Sequence, residues 1–152
     1  MIGRIYSVAI GSQAQTTADT LIEVASAADS VTLIERISIK QTSFDTSENL
    51  GVKVEDITTT GTGDANTPSP LSEGDAAFGG VVKTNLSVEP TYSGTVYWED
   101  GFNVLSGFLW TPANDDEIFV IAPSQLTGIM IDIAPSASMD FSYSCTLREI
   151  GG

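Results

Sequence analysis

Between Phe141 and Arg148 the side chains alternate without a break: Phe141, Tyr143, Cys145 and Leu147 form an apolar row, and Ser142, Ser144, Thr146 and Arg148 a polar one. Successive residues of a β-strand point to opposite faces, so this period of two predicts a strand with one buried and one wet face. The same alternation marks Gly51-Val52-Lys53-Val54-Glu55 and Ile129-Met130-Ile131-Asp132-Ile133. In the segment from Leu33 to Lys40, Leu33, Glu35, Ile37 and Ile39 share one face and Ile34, Arg36, Ser38 and Lys40 the other, with Glu35 and Ile34 as exceptions. Similar runs place strands near 3–10, 20–25, 31–42, 49–58, 81–88, 94–99, 102–110, 117–122, 127–133 and 139–149. Turn formers separate them at Ser43–Glu48, Pro90–Gly94, Pro112–Asp116 and Ala134–Ser138. Ala14–Ala28 is rich in alanine, but Leu21-Ile22-Glu23-Val24 reads as strand, and no segment holds a helical period. Many short antiparallel strands without βα alternation predict an all-β fold, a two-sheet antiparallel sandwich that is jelly-roll-like by its strand count. An up-and-down barrel is the other architecture open to this pattern.

Residues 58–80 break the rhythm. They are dense in Gly, Pro, Ser and Thr and carry no period, which reads as a long irregular arm. Pro68 and Pro70 stiffen its middle towards an extended conformation, and Leu71 and Phe78 are apolar groups able to dock, on a partner or back on the arm's own subunit. No repeat or second composition zone appears, so residues 1–152 are expected to form a single domain.

Composition agrees with strands: 17 Thr, 14 Ile and 11 Val are branched at Cβ, which suits a pleated surface. The net charge is −14, with 20 acidic side chains against 6 basic ones. Such a chain repels phosphates, so neither nucleic acid nor an anionic membrane is expected as a partner. The longest apolar run, Ile118–Ala122, is far short of a membrane span, and the first residues lack a secretory signal, which suggests synthesis in a cytoplasm. There is no histidine, which removes Ser-His-Asp and Cys-His nucleophiles, histidine-held zinc and histidine acid–base chemistry. The lone Cys145 falls on the apolar side of its strand, as a packed thiol. The chain is therefore expected not to be an enzyme, with no cofactor, no metal and no small-molecule substrate.

The remaining motifs read as structure. Gly61-Thr62-Gly63 has no lysine after it and is expected to be turn chemistry, not a phosphate cradle. Carboxylates gather at Asp45 and Glu48, at Glu55-Asp56 and at Asn114-Asp115-Asp116-Glu117, the last without the spacing of a calcium loop. Glu99 and Asp100 are adjacent and so point to opposite faces of a strand, a poor geometry for a glycosidase pair. Tyr92, Tyr97, Trp98, Phe102, Phe108, Trp110 and Phe119 cluster in sequence. They form either a platform for sugar rings or, as expected here for Trp98, Phe102, Phe108 and Trp110, filling between two sheets.

Gly3-Arg4-Ile5-Tyr6-Ser7-Val8, the arm Thr67-Pro68-Ser69-Pro70-Leu71 with Asp75-Ala76-Ala77-Phe78-Gly79-Gly80, and the stretch from Asp100 to Pro112 resemble small virion proteins of tailed bacteriophages. They are similar to the capsid decoration, or cement, proteins encoded beside the major capsid gene, and the likeness runs in order over most of the chain. The resemblance implies a homotrimer on the outer surface of the capsid that clamps the major capsid protein against internal pressure. It carries over no residue-level site. Because a sandwich exposes strand edges, Arg4–Ile10 or Thr67–Phe78 is expected to close an edge on a neighbour, with Arg4, Tyr6, Pro68, Pro70, Leu71 and Phe78 as partner-contacting candidates. A carbohydrate- or receptor-binding sandwich of a phage fibre is the alternative function.

Overall fold

The structure, a computed structural model, describes residues 3–43 and 47–151; Asp45 and half of the expected turn Ser43–Glu48 lie outside them. Its strands are β1 (Arg4–Gln15), β2 (Thr20–Ala25), β3 (Ser30–Gln41), β4 (Asn49–Thr59), β5 (Thr62–Asn66), β6 (Ser69–Pro70), β7 (Val81–Val88), β8 (Thr91–Asn103), β9 (Phe108–Trp110), β10 (Phe119–Ile121), β11 (Leu126–Ile131) and β12 (Met139–Gly151). Among the described residues no helix is long and apolar enough to cross a membrane.

Two antiparallel sheets face each other. Sheet A has the order β10-β3-β12-β1-β6, with β9 also on β3, and sheet B the order β5-β7-β2-β11-β4-β8. Consecutive strands β1 to β4 alternate between the sheets, and the last strands return so that β12 lies between β1 and β3 and β11 between β2 and β4. That is the interlocked order of a jelly roll. Residues 58–80 are inserted into this frame, and there the structure departs from the expected irregular arm. They fold back on their own subunit, where β5 pairs with β7 in sheet B and β6 pairs with β1 in sheet A. These are sheet-edge strands with little burial, so no period-two signal marks them. Gly61 lies just before β5, and Gly63 lies within it where the register against β7 shifts between Thr62 and Asp64. A Cβ at Gly63 would come within 2.7 Å of the Thr84 carbonyl oxygen, a close approach that only glycine permits.

The central strand β12 buries every second residue from Met139 to Glu149, as its alternation requires. In β3 the register against β12 slips between Thr146 and Leu147, so that Glu35 and Arg36 together oppose Thr146. This bulge reverses the faces midway. Ile34, Ile37 and Ile39 all point inward, while Leu33 and Glu35 point out, which corrects the face assignment drawn from strict alternation. The expected strands 94–99 and 102–110 are also divided differently. β8 runs on through Gly101 opposite Gly51, and the turn follows at Val104–Gly107. There the Asn103 carbonyl accepts from the amides of Ser106 and Gly107, both at 3.1 Å, and Gly107 takes φ 73°.

One apolar core joins the sheets, with Tyr6, Ile34, Ile37, Phe141 and Leu147 from sheet A against Leu21, Val52, Val54, Ile129 and Ile131 from sheet B. Phe102, Phe108 and Trp110 are buried in it and Trp98 packs against it, with the Trp98 and Phe108 rings 5.4 Å apart. Cys145 is buried among them, and burial pushes its thiol up to about 12 from an ordinary value of 9.0.

Because the fold holds the neutral thiol, this contribution to stability is complete below pH 9 and fades as the pH climbs towards 12. A disulfide reagent at pH 8 is expected to leave the native protein unmodified and to titrate one thiol per chain once denaturant is added. Rapid modification of the native protein would contradict the placement of Cys145.

Candidate functional site

The side of sheet A turned away from the core is the strongest candidate. Directly opposed residues of an antiparallel pair share a face, so the register defines rows across it. One row runs Val120, Leu33, Arg148, Ile5, and Leu71 continues it where its amide donates to the Ile5 carbonyl at 2.9 Å. A parallel row beyond Arg148 holds Val31 and Ile150. The next rows are Arg36, Thr146, Ser7, Ser69 and then Leu109, Ser38, Ser144, Ala9. The face is thus apolar at one end and paved with small and hydroxyl side chains in the middle. Arg148 interrupts the apolar row, but its Nε donates to Glu35 Oε1 at 2.6 Å, which neutralises it. The bulge in β3 fixes this geometry, because it keeps Leu33 and Glu35 outward while the rest of the strand fills the core. Two shallow hollows flank the row. One of about 390 Å³ is lined by Gly3, Arg4, Ile5, Leu71, Ser72 and Asp75, and one of about 280 Å³ includes Leu33, Ile118, Val120 and Ile150.

The expected partner contacts divide by exposure. Pro70 and Leu71 lie open beside this face, Leu71 at 62% exposure, and Arg4 is half-buried. Tyr6, Pro68 and Phe78 are buried in their own subunit. The Tyr6 and Phe78 rings meet edge to face with centroids 5.2 Å apart, and the Tyr6 hydroxyl donates to the Ala76 carbonyl at 2.9 Å. The edge of β1 at Tyr6 and Ser7 is closed by the chain's own arm.

The carboxylates take a role that sequence reading missed. Six of the nine glutamates accept a backbone N–H, five from a distant part of the chain, Glu23 from Gly61, Glu48 from Ser136, Glu55 from Gly94, Glu89 from Thr20 and Glu149 from Gly79, and one locally, Glu117 from Ala113. Two of these pin the ends of the arm. Glu23, buried in β2, receives Gly61 N–H at 2.8 Å, the Thr60 hydroxyl and, at 3.6 Å, the Lys83 ammonium. Glu149, buried in β12, receives Gly79 N–H at 2.9 Å, the Arg4 guanidinium at 3.0 Å and the hydroxyls of Tyr6 and Ser30, each at 3.3 Å. Within the Asn114–Glu117 cluster a 3-10 turn, Asp115–Glu117, is held by the side chains of Asn114 and Glu117. Asn114 Oδ1 accepts from the Asp116 amide, and Glu117 accepts from Ala113 and from the Asn114 side chain. Among the described residues no three carboxylate or thiol groups converge in a metal-holding arrangement. Glu99 opposes Lys53, and Asp100 opposes Val52 on the other side of the strand.

No protein-family model, curated protein or solved structure matches the chain.

Replacing Glu149 by alanine is expected to cost about 3 kcal/mol in urea unfolding, because it strands a guanidinium and a backbone amide at once. Glu149→Gln keeps an acceptor and is expected to cost less. Exchange of the Gly79 amide should quicken in both variants; unchanged exchange would show that the arm is held by other means.

Proposed function

We propose that the chain is a structural protein of a phage head: a decoration protein that binds the outside of the capsid as a symmetric trimer and holds neighbouring capsid subunits together. The observation that supports this reading most is the distribution of exposed apolar surface. Among the described residues nine large apolar side chains are at least 42% exposed. Leu71, Leu109 and Val120 lie on or beside the outer face of sheet A, while Val81, Val88, Val96 and Tyr97 belong to strands of sheet B. A single contact would use one side of the molecule. A trimer seated on a shell uses two, one for its own copies and one for the surface beneath. The resemblance of the N-terminal strand, the arm and the Asp100–Pro112 stretch to decoration proteins points the same way, and a rigid jelly roll with clamped loops suits a protein that acts by covering area. The carbohydrate-binding alternative loses most of its platform, since Phe102, Phe108 and Trp110 are spent inside the core.

Purified protein mixed with expanded heads that lack it is expected to sediment with them. Binding should saturate at a copy number divisible by three, and the coated heads should survive heating that bursts bare ones. Light scattering that reports a strict monomer at high micromolar concentration, together with no sedimentation, would overturn the proposal.

A further inference from the structure

The acidic surplus of the chain is not spread evenly. By strand register the outward face of sheet A carries three cations, Arg36, Lys40 and Arg148, against two carboxylates, Glu35 and Asp140, and the hollows at its end add Arg4, Asp75 and Asp115. In a protein of net charge −14 this face is close to neutral. Of the six cations, four are matched within the subunit: Arg4 with Glu149, Lys53 with Asp132, Lys83 with Glu23 and Arg148 with Glu35. Among the described residues Arg36 and Lys40 form no ion pair, both are exposed, and both stand on the same strand of the same face. With 20 carboxylates in the chain, two cations left over on one surface mark a place where an outside partner supplies the anions.

The dimensions fit a full contact. Its three long strands, β1, β3 and β12, hold 12, 12 and 13 residues, and with the short β6, β9 and β10 at ~4.8 Å between strands and ~3.3 Å per residue they give a face of roughly 700 Å². That is close to the ~800 Å² each partner contributes to a stable interface of ordinary size. The apolar row Val120, Leu33, Ile5, Leu71 gives it a hydrophobic end, and the next rows give it small and hydroxyl side chains on β12, β1 and β6, with Arg36 and Leu109 at their β3 and β9 ends.

We infer that the outer face of sheet A is the side that seats on the shell, against a protein surface that is apolar under Leu33 and Val120 and carries carboxylates facing Arg36 and Lys40. This rests on the decoration reading and adds to it which side faces inward and what chemistry meets it. Phosphate-bearing partners are disfavoured by the acidic remainder of the chain. A second copy applied through the same face would bring as many cations as carboxylates and so no surplus of anions for Arg36 and Lys40.

The test is co-sedimentation with the expanded heads, using the full-length protein, its Arg36→Glu/Lys40→Glu variant and the conservative Arg36→Lys/Lys40→Arg variant, with light scattering on each. Both sites are exposed, so both variants are expected to fold. Charge reversal should weaken head binding at least about tenfold and leave the oligomer intact, while the conservative variant binds as the parent does. Equal binding by the charge-reversed variant to heads that bind the parent would overturn the inference and leave the decoration reading standing. Failure of the parent to bind would instead remove the decoration reading. Loss of the oligomer on charge reversal would make a second copy the occupant, and the inference would fall.

Discussion

A backbone amide without a partner in a β-ladder must find another acceptor, and at six places in this protein a glutamate side chain provides it. Twelve strands of the described chain generate many such amides, and a neutral side chain would satisfy them with weaker bonds than a carboxylate does. Glu149 shows what depends on this. From the middle of sheet A it ties the N-terminal strand through Arg4 and Tyr6, the start of β3 through Ser30 and the return of the arm through Gly79. Glu23 does the same for the arm's other end from sheet B. The insertion is therefore fastened to both sheets and closes part of the edge that β1 would otherwise expose.

That use of carboxylates also shapes the surface. Six glutamates are engaged by backbone amides, three of them buried within strands, and the broad outer face of sheet A is left nearly neutral. The bulge in β3 completes the arrangement. One extra residue keeps Leu33 and Glu35 on the outer face, carries Ile37 and Ile39 into the core, and places Arg36 outward. Core packing and surface composition are thus set by the same local irregularity.

Much of the fold was legible in the chain. The strict alternation of β12 placed Phe141, Tyr143, Cys145 and Leu147 inward, and the aromatic residues Phe102, Phe108 and Trp110 went to the core as their chemistry suggested. In β3 the two exceptions to the alternation were the trace of a bulge, but a bulge is defined by the register against a partner strand, which the local pattern does not contain. β5 and β6 left no mark because edge strands with two partly wet faces need no alternation. The glutamate clamps were illegible for a different reason. Glu149 and Gly79 are 70 positions apart, and nothing in a run of sequence announces which distant amide a carboxylate will meet. The candidate face belongs to the same class, since Val120, Leu33, Arg148 and Ile5 become neighbours only through strand order.

The most direct measurement of whether this molecule works through its sheet A face is hydroxyl-radical footprinting of the side chains, free and bound to expanded heads. The account predicts that oxidation of Leu33, Ile5, Leu71, Val120 and Ile150 falls on binding. Unchanged oxidation at those residues, with protection confined to Val96 and Tyr97 on the opposite sheet, would contradict it.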